Sequence, residues 1–598
     1  MTSSKIKAIE KFSTALCVLL ISAVVAIFFA PGLRIGFLWD DWSFITLLVK
    51  LDLGEYLRFF FDPRVQFIWY RPMFGVMWLA EYTLFGADPF GFHVVWMLLH
   101  LLNGLLLFAL VRRLSHHPWL ALLSALFFVT LPTISWVAMW PIEPQNEATA
   151  FALAATWFWI AYLERARARD YLRALLFYCL ALMTKETSIV LPAVLLGIEI
   201  ILLRRPFRVF DLFRRYALFG FAGLTLIAFD LRSITYGVST RQVGYSAGSH
   251  LAPNLIKYLT ELVVPWSINP VADQILALGI YAFAGWSAWR KKNRALVFLG
   301  LVALVTLLPV IPFPKPQSRY LYAPALAFAI AAAMLVVWLA QNRRRVAVWS
   351  IGLLVALFLI GNGLRIDEAA ALYASMSLDE RAVFRAIRQR HPTFPPGTYI
   401  YFINTYIDSL EGMFLGRYGK TIAVGSVQSH VSPDLRAHPH PLIIYLDEQE
   451  RPIEIPVAPT FDARAAPPLP VNFNAAIQLA RFDLASARVQ PGEYLAAIFY
   501  LQSLENTDRD YTIFVHLVDA AGNQIAGADA QMATRSLRAS DQWKHGAVLP
   551  IDANTPPGNY AIRVGFYDRA TGERLPMVDA NGQSFGDAVT IETIYVGK

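Results

Sequence analysis

Along the first 364 residues, apolar stretches of about twenty positions alternate with short basic or proline-marked turns. A helix needs about 20 apolar residues to cross a bilayer, so this pattern predicts membrane spans in series. The first, 12–30, follows Lys5, Lys7 and Lys11, which puts the N-terminus on the cytoplasmic side. No small-residue cleavage site follows it, so it reads as a retained anchor. Further spans are expected at 92–111, ending at Arg112 and Arg113, and at 118–137, turning around WPIEPQNE (140–147). A fourth returns to Arg165, Arg167 and Arg169, a short fifth covers 172–184, and a sixth covers 187–203. The seventh, 216–231, opens a second external loop, 232–270; the eighth ends at RKKNR (290–294). The ninth leads to PFPKPQSRYLYAP (312–324), the tenth ends at 343–345, and the eleventh is 346–364. Eleven spans put 21 basic residues in cytoplasmic segments and 11 in external ones, the asymmetry that sets orientation. They also deliver everything after 364 to the outside. The first external loop, 40–89, carries aromatic-rich amphipathic stretches at 56–61 and 74–85, suited to the interface.

Beyond 364 the period changes. Helical spacing at 367–390, then TYIYFIN (398–404) and PLIIYL (441–446), predict a small extracytoplasmic α/β region over 365–460. A proline-rich linker, 455–470, leads into alternating segments at 494–504, 511–518, 524–530 and 559–568. Turn signals at that spacing predict a β-sandwich over 471–598. The expected architecture is an α-helical polytopic membrane domain (1–364) followed by these two regions.

Composition sharpens this. At 56% hydrophobic and 16% charged, with mean hydropathy +0.45, the chain is excluded from the ordinary soluble class. The formal charge of +8 hides a split, +14 over 1–364 and −6 over 365–598. The basic balance therefore belongs to membrane topology, and no nucleic-acid partner is implied. Cys17 and Cys179 both fall in apolar segments, so no disulfide framework is available. No GxxxxGK[ST] phosphate loop occurs, and Asp508-Arg509-Asp510 sits between two predicted strands, where a turn belongs.

The chemistry concentrates outside the membrane. Asp40 and Asp41 lie in FLWDDW (37–42), just past the first span. Acids at a membrane surface are costly to desolvate, so an adjacent pair invites a functional reading. FLWDDW, WYRPMFGVMWL (69–79) and LFGADPFGFHVVWMLLHLLNGLLLFALVRRL (84–114) together resemble the opening of GT-C membrane glycosyltransferases, closest to the protein O-mannosyltransferase-like group. MTKETSIVLP (183–192) and SRYLYAP (318–324) resemble later landmarks of that group, and the sandwich resembles tails on bacterial members. The resemblance implies a GT-C-like fold and transfer of a sugar from a polyprenyl-phosphate donor to an extracytoplasmic acceptor. It also implies Asp40 as the base, with Asp41 supporting it or contacting the acceptor.

That reaction needs a base for the acceptor hydroxyl and cations for the departing phosphate. Burial among Phe37, Trp39 and Trp42 is expected to raise one acid of the pair toward working pH. Displacement in one step inverts the anomeric carbon through an oxocarbenium-like transition state. Arg71, Lys185 and Arg319 are the candidate phosphate ligands, each with an ordinary alternative: an ion pair for Arg71 and Lys185, snorkelling for Arg319. His93, Glu143, Glu186 and Tyr320 are candidates for the cavity or the acceptor. His100, seven residues from His93, reads as hydrogen-bonded structure, and Glu147 as a second outward acid of the 140–147 turn. A monophosphate donor requires no metal; if Mg²⁺ or Mn²⁺ serves, Asp40 and Asp41 are its ligands. The sugar is left open among mannose, glucose and an aminoarabinose-like residue, and the acceptor among protein, lipid and surface glycan. The rival readings are a transporter or lipid-carrier flippase, and a non-catalytic scaffold with a glycan-binding tail.

Overall fold

The computed structural model describes residues 3–65, 69–240, 248–267, 269–341, 343–404, 410–426, 435–458, 468–579 and 581–597. Part of the expected linker (459–467) and of the second external loop (241–247 and 268) lies outside them. The chain divides into two compact units, Met1–Leu378 and Asp379–Lys598.

In the first unit, each of the eleven expected segments is helical. Among the described residues, six helices are long and apolar enough to cross a membrane. Pro118–Val129 and Pro132–Met139 make a seventh if that pair, bent by 53°, is one span. The other four segments of the eleven-span expectation are shorter, broken or polar at one end. Ala168–Thr184 has 17 residues and Arg294–Leu307 has 14. Residues 186–202 pass from 3-10 turn to α-helix to π-turn. Gln145–Arg165 is long enough, but it opens on the polar run Gln145, Asn146 and Glu147.

The boundaries follow local chemistry. Helix Pro89–Ser115 starts at Asp88, whose carboxylate accepts the Phe90 N–H at 3.1 Å, and carries Arg112 and Arg113 in its last turn against the dipole's negative end. Pro132, which has no N–H to give, marks the bend of the third segment. Buried aromatic and aliphatic side chains such as Trp159, Phe128, Phe219 and Leu307 fill the core, while Trp289, Trp349, Leu278 and Val209 point outward, as lipid-facing positions do.

One polar network crosses that core. His100 Nδ1 meets the Tyr322 hydroxyl at 2.7 Å and its Nε2 meets the Val129 carbonyl at 3.1 Å. Asn103 and Asn146 close the network through their amides. His100 is therefore the satisfied structural histidine its spacing suggested.

Among the described residues, the second unit holds three sheets. A four-stranded one pairs Thr398–Phe402 in parallel with Ala423–Ser426 and His440–Leu446, with Pro452–Pro456 antiparallel at its edge. A five-stranded and a six-stranded sheet form the sandwich, with Phe473, Phe499, Val515, Ile562 and Ile594 between them. The small sheet and the sandwich share a further cluster, in which Tyr401 and Ile443 pack with Ala496 and Ile498. Residues 508–510 form the loop expected of them, with Arg509 bonded to Asp568 and Asp510 paired with Arg535.

Candidate active site

The turn around FLWDDW separates its two acids. Asp41 is fully buried in the first turn of helix Asp40–Lys50, where its Oδ2 accepts the Leu38 N–H at 2.8 Å and the Trp140 indole N–H at 3.2 Å. Asp40, one residue earlier, is exposed. Carboxylates suit a helix N-terminus, and Asp41 also closes the turn from inside. Phe37 and Trp42 are buried with Asp41, whereas Trp39 is 45% exposed. This corrects the expectation that the surrounding aromatics bury the base: burial falls on Asp41, and Asp40 is exposed. Gly36 N–H, bonded to Ser377 Oγ at 3.0 Å, ties the turn to helix Arg345–Arg390.

Trp39 has φ +36° and ψ −107°, a conformation a bulky residue rarely adopts. Its ring meets Trp140 edge-on at 5.7 Å and Trp136 at 6.0 Å, and Trp136 packs on Tyr373 at 3.9 Å.

The cations come together from three distant places. Arg71 precedes Pro72, the first residue of helix Pro72–Phe85, and the neighbouring Tyr70 N–H is held by Asp230 at 3.0 Å. Its guanidinium makes a forked pair with Glu186, Nε to Oε2 at 2.9 Å and Nη2 to Oε1 at 3.0 Å. Lys185 is the extended residue between helix Ala168–Thr184 and the 3-10 turn Glu186–Val190. Its buried ammonium is 4.0 Å from Glu186 and 5.6 Å from the centre of the Tyr320 ring. Arg319, in the 3-10 turn Ser318–Leu321, pairs with Glu143 and lies 6.0 Å from the centre of the Trp140 ring. Tyr320 stacks on Phe313 at 5.1 Å.

Three cations and two carboxylates thus share one neighbourhood, with one positive charge in excess. Burial, reinforced by Arg71, pulls the Lys185 ammonium down to about 7, and Glu186 and Glu143 oppose that fall. Burial lifts Glu186, but Arg71 and Lys185 outweigh it and hold the carboxyl below its ordinary range. Trp140 links the two halves of the site: its N–H holds Asp41, its ring faces Arg319, and its carbonyl accepts the Glu143 N–H at 3.2 Å.

The sequence reading named Asp40, Asp41, Arg71, Lys185, Arg319, Glu143, Glu186 and Tyr320, and the structure assembles the last six into one cluster. The ion-pair alternatives for Arg71 and Lys185 also hold in part, since both meet Glu186, whereas Arg319 meets Glu143, a contact the snorkelling alternative did not include. His93 is buried in the first turns of helix Pro89–Ser115, and none of the ion pairs or ring contacts above runs through it. Trp140 and Trp136 were missed, because tryptophans beside a membrane read first as interfacial anchors. So was Glu81, buried in helix Pro72–Phe85 and lifted well above the ordinary carboxylate range, first by burial and then by Glu147 and Asp41. Among the described residues, no three His, Cys, Asp or Glu side chains are grouped for a metal ion. The two N–H donors on Asp41 Oδ2 compete with any cation there.

This is a multi-pass membrane protein with a charged site beside its first helix. Residues 71–230, which carry Arg71, Trp140, Glu143, Lys185 and Glu186, match the family described as dolichyl-phosphate-mannose-protein mannosyltransferase. That match begins within the WYRP motif and covers the stretch in which the LFGADPFGFH and MTKETS motifs lie. No curated protein matches the chain. Among solved structures, the chain is similar to ArnT from Cupriavidus metallidurans bound to undecaprenyl phosphate, at 15% identity and a TM-score of 0.45, over 73% of this chain and 94% of that one. It is also similar to the arabinosyltransferase EmbB from Mycobacterium smegmatis, at 12% identity and a TM-score of 0.28, over 97% of this chain and 64% of that one.

Proposed function

We propose that this chain transfers a sugar from a polyprenyl-phosphate carrier to a hydroxyl on the extracytoplasmic side of the membrane, with inversion. The observation that carries this reading is the meeting of Arg71, Lys185 and Arg319 from three separate parts of the chain, beside a turn that buries Asp41 and exposes Asp40. The matched family's description names a polyprenyl-phosphate sugar as its donor, which fits that cluster.

In this reading Lys185 and the two guanidiniums hold the phosphate, with Glu186 and Glu143 keeping them in place before the donor arrives. Asp40 takes the acceptor's hydroxyl proton as that oxygen bonds the anomeric carbon. The bond from that carbon to the phosphate oxygen breaks at the same time, and polyprenyl phosphate leaves as an anion that needs no general acid. Cations already in position stabilise the growing negative charge without reorganising. The acceptor is a protein, lipid or glycan hydroxyl. The N-terminus lies in the cytoplasm, and the site and the second unit lie outside, following the basic residues of the short loops.

The test uses purified protein in nanodiscs with a radiolabelled polyprenyl-phosphate hexose. Transfer or carrier hydrolysis that disappears in Asp40→Asn, while donor binding survives, supports the reading. Equal turnover by both proteins removes Asp40 from the chemistry and brings the transporter reading forward.

A further inference from the structure

We propose that Trp39 is the platform on which the donor's sugar ring lies, making it a specificity-determining residue of the site. The inference rests on the donor reading given under Proposed function. Three observations carry it.

The first is exposure in the wrong place for packing. Phe37, Leu38, Asp41 and Trp42 are all buried, yet the large apolar ring between them is 45% exposed. The second is strain: Trp39 holds φ +36° and ψ −107°, where a bulky L-residue is disfavoured, and such conformations persist when the surroundings over-determine them. Here the surroundings are the Leu38 N–H to Asp41 bond on one side and the edge-on contact with Trp140 on the other. The third is position. Trp39 is the residue before Asp40, and it shares the Trp140 ring with Arg319, at 5.7 and 6.0 Å from its centre respectively. In a polyprenyl-phosphate sugar the phosphate is bonded directly to the anomeric carbon. A phosphate held by Arg319 therefore leaves its sugar beside the Trp140 ring, which Trp39 also touches.

An exposed indole suits a pyranose. The ring's face carries negative charge density, and the C–H bonds on one side of a sugar present a weakly positive, apolar surface to it. Stacking there fixes the plane of the ring and leaves the anomeric carbon open toward Asp40. It also favours sugars whose C–H groups gather on one face.

The experiment measures binding of two probes to the full-length protein in nanodiscs: a polyprenyl-phosphate hexose and the same polyprenyl phosphate without sugar. Trp39→Leu keeps an apolar, though shorter, side chain at the same backbone position and loses the π face; Trp39→Phe keeps a smaller π face. The expected result is that Trp39→Leu weakens the sugar-bearing carrier roughly tenfold and leaves the bare carrier unchanged, with Trp39→Phe between. Unchanged binding of both probes makes Trp39 an interfacial anchor and overturns the proposal. An equal loss for both probes also overturns it, because the residue then shapes the phosphate cluster and not the sugar subsite. If wild-type protein binds neither carrier while its thermal unfolding is intact, the donor reading itself has failed and this inference falls with it. Lys185→Ala separates the two: it weakens both carriers if the donor reading holds, whatever Trp39 does.

Discussion

Trp140 gives its indole N–H to Asp41 at 3.2 Å, and the same indole ring faces the Arg319 guanidinium. One side chain therefore spans the acid turn and the cation cluster. Trp140→Phe keeps an aromatic ring and removes the indole donor, while the Leu38 N–H to Asp41 Oδ2 stays. A hydrogen bond to a charged, buried group contributes about 1.5–3 kcal/mol. The expected outcome is a roughly tenfold or larger fall in kcat with little change in KM for the donor, since the phosphate contacts stay in place. The check is a double-mutant cycle in steady-state transfer assays: in an Asp41→Ala background, Trp140→Phe should cost little more.

Arg71 and Glu186 form a forked pair of low exposure, with side chains 17% and 11% accessible. Glu186→Ala strands the Arg71 guanidinium, whereas Arg71→Ala leaves Glu186 only the Lys185 ammonium at 4.0 Å, and breaking such a buried pair typically costs about 3–5 kcal/mol. Arg71→Ala and Glu186→Ala should each lower the melting temperature in detergent. The double substitution should cost less than the two single effects added together, because neither charge is then stranded. Arg71→Lys restores the charge but not the fork, and is expected to recover only part of the loss.

Much of this was readable because its signals are local. Runs of apolar residues closed by Arg112 and Arg113, or by the 290–294 run, mark helix ends whatever they pack against, and the strands at 494–503, 511–518 and 558–568 announce themselves by composition. What was hidden depends on contacts between distant residues. Which of Asp40 and Asp41 faces inward is decided by Trp140, about a hundred positions away in sequence, and by the Leu38 amide. The pairing of Arg71 with Glu186 is likewise a tertiary fact. The span count was hard to read for a related reason. Helices such as Ala168–Thr184 are shorter than a bilayer's usual span, so apolarity and length disagree there.

Glu81 supplies a test of the site's hidden acid. Its folded-state carboxyl sits well above the ordinary range, through burial first and then Glu147 and Asp41. Such a group binds its proton more tightly folded than unfolded. Its contribution to stability is full below the ordinary carboxylate value and declines as pH rises above it, until the folded form titrates. Glu81→Gln mimics the protonated form, so it should leave stability near pH 5 almost unchanged and flatten the decline toward neutral pH. Thermal unfolding of both proteins between pH 5 and 8 measures this; parallel curves would show that Glu81 is charged in the folded protein.

Lys185 is shifted in the opposite direction, and its pH dependence falls on binding. Its ammonium is pulled down to about 7 by burial and by Arg71, so the unliganded site loses this positive charge as pH rises through neutrality. A polyprenyl-phosphate sugar is a phosphodiester and keeps its single negative charge throughout that range. Donor affinity should therefore be highest below pH 7 and fall toward a ceiling of about thirtyfold by pH 8.5, at tenfold for each pH unit above the ammonium's value. Lys185→Arg keeps a cation that stays charged throughout, so its affinity should be nearly flat over the same range. Isothermal titration of the donor into nanodisc-held protein at pH 6.0, 7.0 and 8.5 separates the cases. A wild-type affinity as flat as that of Lys185→Arg would mean that Lys185 stays charged, or that the phosphate is held by the two arginines without it.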